Sequence, residues 1–155
     1  MPCIDAMVDK VVSLTPDQTV EEAMKVLESH SIRKAPVLDK DNVLLGMFGF
    51  DSLLEEMLPT AVKMLEGLDR LDFVRGAKPD IARRLRSIKA QSIEAAMDKN
   101  PIVLSPDLSV WEGIRKLAKH GSPLSIVDRS TGKFLGIVTE QSAIAELERD
   151  EYQSR

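Results

Sequence analysis

The sequence predicts a mixed α/β fold: two β-α-β-β-α units packed sheet to sheet, with a helical segment inserted between them. Three observations carry this reading. The stretch Ser13–Ser52 is echoed at Val103–Ser142, ninety residues on. Each copy opens its first helix with a hydroxyl residue followed three places later by glutamate. Each copy then runs through two apolar segments separated by a polar turn.

The echo is read residue by residue. Pro16-Asp17 recurs as Pro106-Asp107, Val20 as Val110, Glu22 as Glu112, Leu27 as Leu117 and His30 as His120. Gly46 recurs as Gly136 and Ser52 as Ser142, with Ala6-Met7 and Ala96-Met97 in the same register upstream. One residue is lost after the histidines, so Asp39 aligns with Asp128, and it is regained in the next turn. Two copies of so long a period are not a solenoid, whose units run roughly 20–50 residues. They make a pair, and a functional cleft is expected between them.

Val11–Leu14 is short and β-branched and closes on Thr15-Pro16-Asp17, which predicts a brief strand ending in a turn. Thr19-Val20-Glu21-Glu22 has the capping-box pattern, in which each side chain satisfies the other residue's orphan amide. Val20, Ala23, Met24 and Leu27 follow at helical spacing and mark a buried face. The second copy repeats this as Ser109-Val110-Trp111-Glu112, with Val110, Ile114 and Leu117 on the face. Ala35–Leu38, the turn Asp39–Asn42 and Val43–Phe48 then read as a hairpin; so do Leu124–Val127, Asp128–Gly132 and Phe134–Val138. Last helices are expected near Ser52 and Ser142. A unit of some 50 residues buries too little apolar surface to stand alone, so the copies should pair.

The chain divides into a first unit at 1–58, a helical insert at 59–91 and a second unit at 92–155. At 155 residues it fits one paired globular module. Aromatics are only 4%, so the core must be aliphatic. A net charge of −4 argues against a dedicated nucleic-acid binder. The single cysteine, Cys3, excludes an internal disulfide and fits a reducing compartment. No apolar run approaches the roughly 18 residues of a spanning helix, and no leader peptide is visible. The expectation is a cytoplasmic protein. No Cys/His cluster stands at metal spacing, and there is no phosphate-binding glycine loop or nucleophile elbow, so no enzyme is expected and no cofactor is required.

With these elements in order, the chain resembles a tandem cystathionine-β-synthase (CBS) domain pair, or Bateman module. The resemblance rests on Ser13-Leu14-Thr15-Pro16-Asp17-x-Thr19-Val20-x-Glu22-Ala23 and Ala35-Pro36-Val37-Leu38-Asp39. In the second copy it rests on Val103–Val110 and Gly136-Ile137-Val138-Thr139. It covers roughly residues 4–58 and 92–148. It implies units joined through their sheets about a pseudo-twofold axis, and a disc-like homodimer of such pairs. It also implies a regulatory role, with an adenine nucleotide (AMP, ADP or ATP) or a related adenosyl ligand between the units.

The family motif Gly-Ile-Val-Thr-x-x-Asp places a threonine and a ribose-binding aspartate at the last helix start. Here Thr139 is kept and Ser142 stands in the aspartate's place; in the first copy Gly49 and Ser52 replace both residues, and Asp51 falls one position early. A serine makes single hydrogen bonds and not the bidentate, charge-assisted grip of a carboxylate. It is also a good helix cap with no ligand at all, so both readings stand for Ser52 and Ser142. The resemblance puts phosphate-reaching bases at Arg33 and Lys34, where the second copy has Ser122 and Pro123. It puts backbone contacts near Ile102 and Ser125. His30 and His120 close matching helices, where a cation suits the helix dipole.

Within the insert, Leu58, Val62, Leu65 and Leu68 recur at helical spacing, as do Ile81, Leu85 and Ile88 after Pro79. Gly76–Pro79 reads as the break between two helices. From Arg75 to Lys89, six bases face one acid, Asp80. That run is either a solvated helix face or a docking surface for an acidic partner; it lacks the aromatics that stack on nucleic acid. Two functions follow. One is a nucleotide-sensing regulatory module. The other is a ligand-independent dimerisation or docking module whose clefts have degenerated.

Overall fold

Both copies cap their first helix with the predicted hydroxyl. In the computed structural model, which describes residues 2–58 and 78–153, α1 spans Val20–Ser29 and its Thr19 Oγ1 accepts the Glu22 amide at 3.1 Å. The expected reciprocal half of the box differs: the Glu22 carboxylate accepts the Thr19 hydroxyl, not the Thr19 amide. Val20, Ala23 and Leu27 are buried, as their spacing requires.

The chain turns at Ser31, φ 53°, into β1 (Lys34–Leu38), which pairs antiparallel with β2 (Leu44–Gly49). In the turn between them the Asp39 carboxylate accepts the Asp41 and Val43 amides at 2.8 and 2.9 Å, and Asn42 takes φ 66°. Next come α2 (Phe50–Met57) and, after the undescribed stretch, α3 (Lys78–Lys89). The second copy supplies β3 (Val103–Leu104), α4 (Val110–His120), β4 (Leu124–Val127), β5 (Phe134–Val138) and α5 (Glu140–Gln153). Its special backbone positions match the first copy's: Gly121 (φ 79°) and Gly132 (φ 75°) stand where Ser31 and Asn42 do.

The strand expected at Val11–Leu14 is reduced to one bridge. Leu14 donates to Pro36 O and accepts from the Leu38 amide, both at 2.9 Å. In the second copy β3 pairs parallel with β4 over two residues, Val103 with Ser125 and Leu104 with Ile126. Register makes Pro36 the counterpart of Ser125, since Pro36 faces Met47 and Ser125 faces Ile137. Extending the first ladder needs an N–H at position 36, and proline has none.

The hydrogen bonds that join the copies come in reciprocal pairs. Val8 and Ile137 exchange both backbone bonds, at 2.7 and 2.9 Å; ninety residues displaced, Asp98 and Met47 exchange theirs at 2.8 and 3.0 Å. The Cys3 amide donates to Leu108 O at 2.7 Å, and the Ile93 amide donates to Gln18 O at 3.0 Å. Where the hairpins meet, Leu44 donates to Gly132 O at 3.2 Å and Phe134 to Asn42 O at 2.9 Å. The glycines of the echo lie at these crossings. A Cβ on Gly46 would stand 2.5 Å from Asp98 O, and one on Gly136 2.5 Å from Val8 O.

The two cores therefore exchange their leading segments. The first core, around Leu14, Val37 and Phe48, is completed by Ile88, Ile93 and Ala96. The second, around Leu104, Ile126 and Val138, is completed by Cys3 and Ala6. Within α3, Ile88 is buried and Leu85 half-buried, whereas Ile81 is exposed. The Arg84 guanidinium donates to Glu56 O at 3.1 Å and Leu58 O at 3.5 Å, closing carbonyls at the end of α2. Of the first apolar stripe only Leu58 falls within the described residues; Val62, Leu65 and Leu68 lie outside them, as do Arg75 and Gly76-Ala77.

Candidate functional site

A cleft of about 150 Å³ opens on the seam between the copies. The first copy contributes Lys34, from the start of β1, and Met47 from β2. The second contributes Asp98, Pro101 and Ile102 from the approach to β3, and His120, Gly121, Pro123 and Leu124 around the entry to β4. Its floor depends on the Met47–Asp98 bridge, which brings an approach strand of one copy across the sheet of the other. Two of the residues expected to bind ligand, Lys34 and Ile102, thus meet in one cleft. Met47, Asp98 and Pro101 were missed: they come together only through the exchange, and the recurring Gly46 and Gly136 were its one trace in the sequence.

The other expected residues lie elsewhere. Arg33 is exposed, and its carbonyl accepts the Phe50 amide at 3.3 Å. Ser125 is fully buried, with its hydroxyl 3.1 Å from the Met47 sulfur behind the cleft wall. Ser142 lines a second, shallower groove of about 300 Å³ with Asp5, Ala6, Met7, Ala145, Glu146 and Arg149. Thr139 lines neither hollow.

The last helices start two residues earlier than expected, at Phe50 and Glu140, which makes the serines third residues and not caps. Ser142 Oγ accepts the Thr139 amide at 2.9 Å while Thr139 Oγ1 accepts the Ser142 amide at 3.0 Å, a complete capping box. Ser52 Oγ likewise accepts the Gly49 amide at 2.9 Å. Gly49 has no side chain to return the favour, and Asp51 acts instead: its Oδ1 accepts the Ser52 amide at 2.9 Å. Its other oxygen, Oδ2, pairs with Lys34 Nζ at 2.9 Å. A Cβ at position 49 would lie 2.7 Å from Asp51 Oδ1 and 2.7 Å from Arg33 O, so glycine here admits the carboxylate.

His30 is exposed with Nδ1 3.0 Å from Val26 O, whereas its counterpart His120 borders the cleft. Burial pushes the Cys3 thiol up from its ordinary value. Among the described residues no three of His, Cys, Asp and Glu are grouped to hold a metal. No described helix is long and apolar enough to cross a membrane.

Two copies of a helix-and-hairpin unit, cross-bonded and enclosing a seam cleft, define a CBS-domain pair. The chain belongs to this family: the CBS domain model matches residues 3–59 and again 90–149. Among solved structures it is similar to CBSX2 in complex with AMP, at 18% identity and a TM-score of 0.70 over 97% of this chain and 98% of that one. The CBS-pair protein CBSX2 from Arabidopsis thaliana gives 18% and 0.72 over 97% and 96%. A CBS domain-containing protein of unknown function from Bacillus anthracis is 21% identical, with a TM-score of 0.69 over 96% and 94%. At these identities the likeness is one of fold. No curated protein matches.

Proposed function

We propose that this chain is a regulatory, non-catalytic module that senses an adenine nucleotide or related adenosyl ligand in the cleft between its copies. The observation that carries this reading is the cleft itself, built from both copies at the Met47–Asp98 crossing, with Lys34 and Ile102 on its walls. The fold it shares with a CBS pair complexed with AMP supports it. A ligand that touches both copies prefers one arrangement of the pair, and that differential affinity is the signal. The module acts as a cytoplasmic homodimer and passes the change to a protein partner, for which the exposed bases Arg83 and Arg86 of α3 offer a surface.

A second reading has its own support. The hydroxyls of Thr139, Ser142 and Ser52 are engaged within their own helix starts, and the cleft is smaller than the roughly 300–1,000 Å³ usual for ligand sites. In that reading the chain is a dimerisation or docking module that works without ligand. Thermal melting with millimolar AMP, ADP, ATP and S-adenosylmethionine separates the two. Ligand at a hundred times its Kd adds about 2.7 kcal/mol of stability, an easily measured rise in Tm. Lys34→Ala should shrink that rise; flat melting curves with all four ligands would leave the docking reading. Light scattering tests the homodimer.

A further inference from the structure

Among the described residues Lys34 is the one ammonium on the cleft wall, and Asp51 already neutralises it at 2.9 Å. The same carboxylate accepts the Ser52 amide, in the first turn of α2. A phosphate entering from the seam would look for that ammonium, whereas the Ser52 amide is not among the cleft's lining residues and holds the carboxylate in place. Asp98 puts a carboxylate on the cleft wall itself. Lys34 therefore faces the cleft with its charge already matched by Asp51, and a further carboxylate, Asp98, stands on the same wall. The second copy is built differently, since there the neutral Thr139 hydroxyl caps the equivalent amide at 3.0 Å.

From this geometry, and resting on the sensing function proposed above, we infer that Asp51 is an internal counter-ion that sets the cleft against phosphate tails. The ligand class it selects is an adenosyl compound whose 5′ substituent is uncharged or cationic. Gly49 makes this possible, because any larger side chain there would meet Asp51 Oδ1 and Arg33 O. The ion pair is partly exposed, with Lys34 at 26% and Asp51 at 66%, so its hold is moderate and a phosphate competes with it at a cost.

The test is calorimetric titration of the full chain with adenosine, S-adenosylmethionine, AMP and ATP. Wild type should bind adenosine and S-adenosylmethionine more tightly than ATP. Asp51→Asn keeps the acceptor for the Ser52 amide and removes the charge. It should raise ATP and AMP affinity by about two- to five-fold, the span of a partly exposed ion pair, and leave adenosine unchanged. In a Lys34→Ala background the same substitution should raise ATP affinity less, because the cation it competes for is gone and only through-space repulsion by the carboxylate is left to relieve. Asp51→Ser carries the same readout should the asparagine variant fold poorly. An unchanged ratio of ATP to adenosine affinity in Asp51→Asn overturns the inference while the sensing function stands. Absence of heat with every ligand, in wild type and variant alike, overturns both.

Discussion

The two copies solve one local problem with different chemistry. Each must satisfy the first-turn amides of its last helix beside the seam. The second copy uses two hydroxyls, Thr139 and Ser142, which cap each other and carry no charge. The first has Gly49 in the threonine's place and recruits Asp51, which brings a carboxylate and with it Lys34. A duplicated fold thus keeps its backbone register while the electrostatics of its two halves diverge. The leading segments differ in the same way. Ile93 fills the first core where Cys3, its counterpart, fills the second.

The largest test of this comparison lies in those cores. Ile93→Ala should cost about 2–5 kcal/mol in chemical denaturation, because it leaves a cavity among fully buried neighbours. Cys3→Ala removes a single heavy atom and should cost about 1 kcal/mol. Equal losses at the two positions would mean that the cores are not filled as described. Gly46→Ala and Gly136→Ala come next, at roughly 1–3 kcal/mol each, since both Cβ atoms collide with a backbone oxygen of the other copy. Here the halves should behave alike, and a harmless alanine at either site would remove that crossing. Thr139→Ala should lower stability by about 0.5–2 kcal/mol in the absence of ligand, while Thr139→Ser should restore it. An unaltered melting curve for the alanine variant would deny Thr139 its capping role.

The smallest effect is one of pH. Hydroxyl donors hold three carboxylates below the ordinary value near 3.8: Thr15 on Asp17, Ser105 on Asp107 and Ser130 on Asp128. Asp107 also feels Arg129. A carboxylate depressed in the folded state stabilises it above the unfolded value, and that stability is lost as pH falls through the folded value. Tm should therefore be insensitive to these groups at neutral pH and drop on acidification below about 4. Asp107→Asn and Asp17→Asn should each flatten that drop.

Much of the fold was legible because it is written in local pattern. The hydroxyl-to-glutamate spacing located both first helices, and Asp39 and Asp128 located both hairpin turns. What stayed hidden depends on partners distant in sequence. Pro36 reads as part of an apolar strand, yet its missing N–H prevents Leu14 and its neighbours from forming a ladder. Ser52 and Ser142 read as helix caps, but the caps lie at Gly49 and Thr139, and the serines reach back to them. Ile93 and Cys3 read as members of their own units; their amides bond to Gln18 and Leu108 of the other. Of the candidate site, Lys34 and Ile102 were found through resemblance, whereas Met47 and Asp98 required the crossing strands to be seen. Asp51 was noticed only as a residue one place out of register.

The exchange of leading segments also governs how such a chain can be made. Cys3 and Val8 leave the ribosome early, but their hydrogen-bond partners at Leu108 and Ile137 are among the later residues to emerge. The first core, in turn, stays open until Ile93 and Ala96 arrive. The first core can then close before the second sheet is made, whereas Cys3 and Ala6 stay an unsealed apolar strip until that sheet arrives. A ribosome stalled after Leu58 should carry a protease-sensitive product; protection should reach the first half once Ala96 is out, and the leading segment only once the final hairpin has emerged.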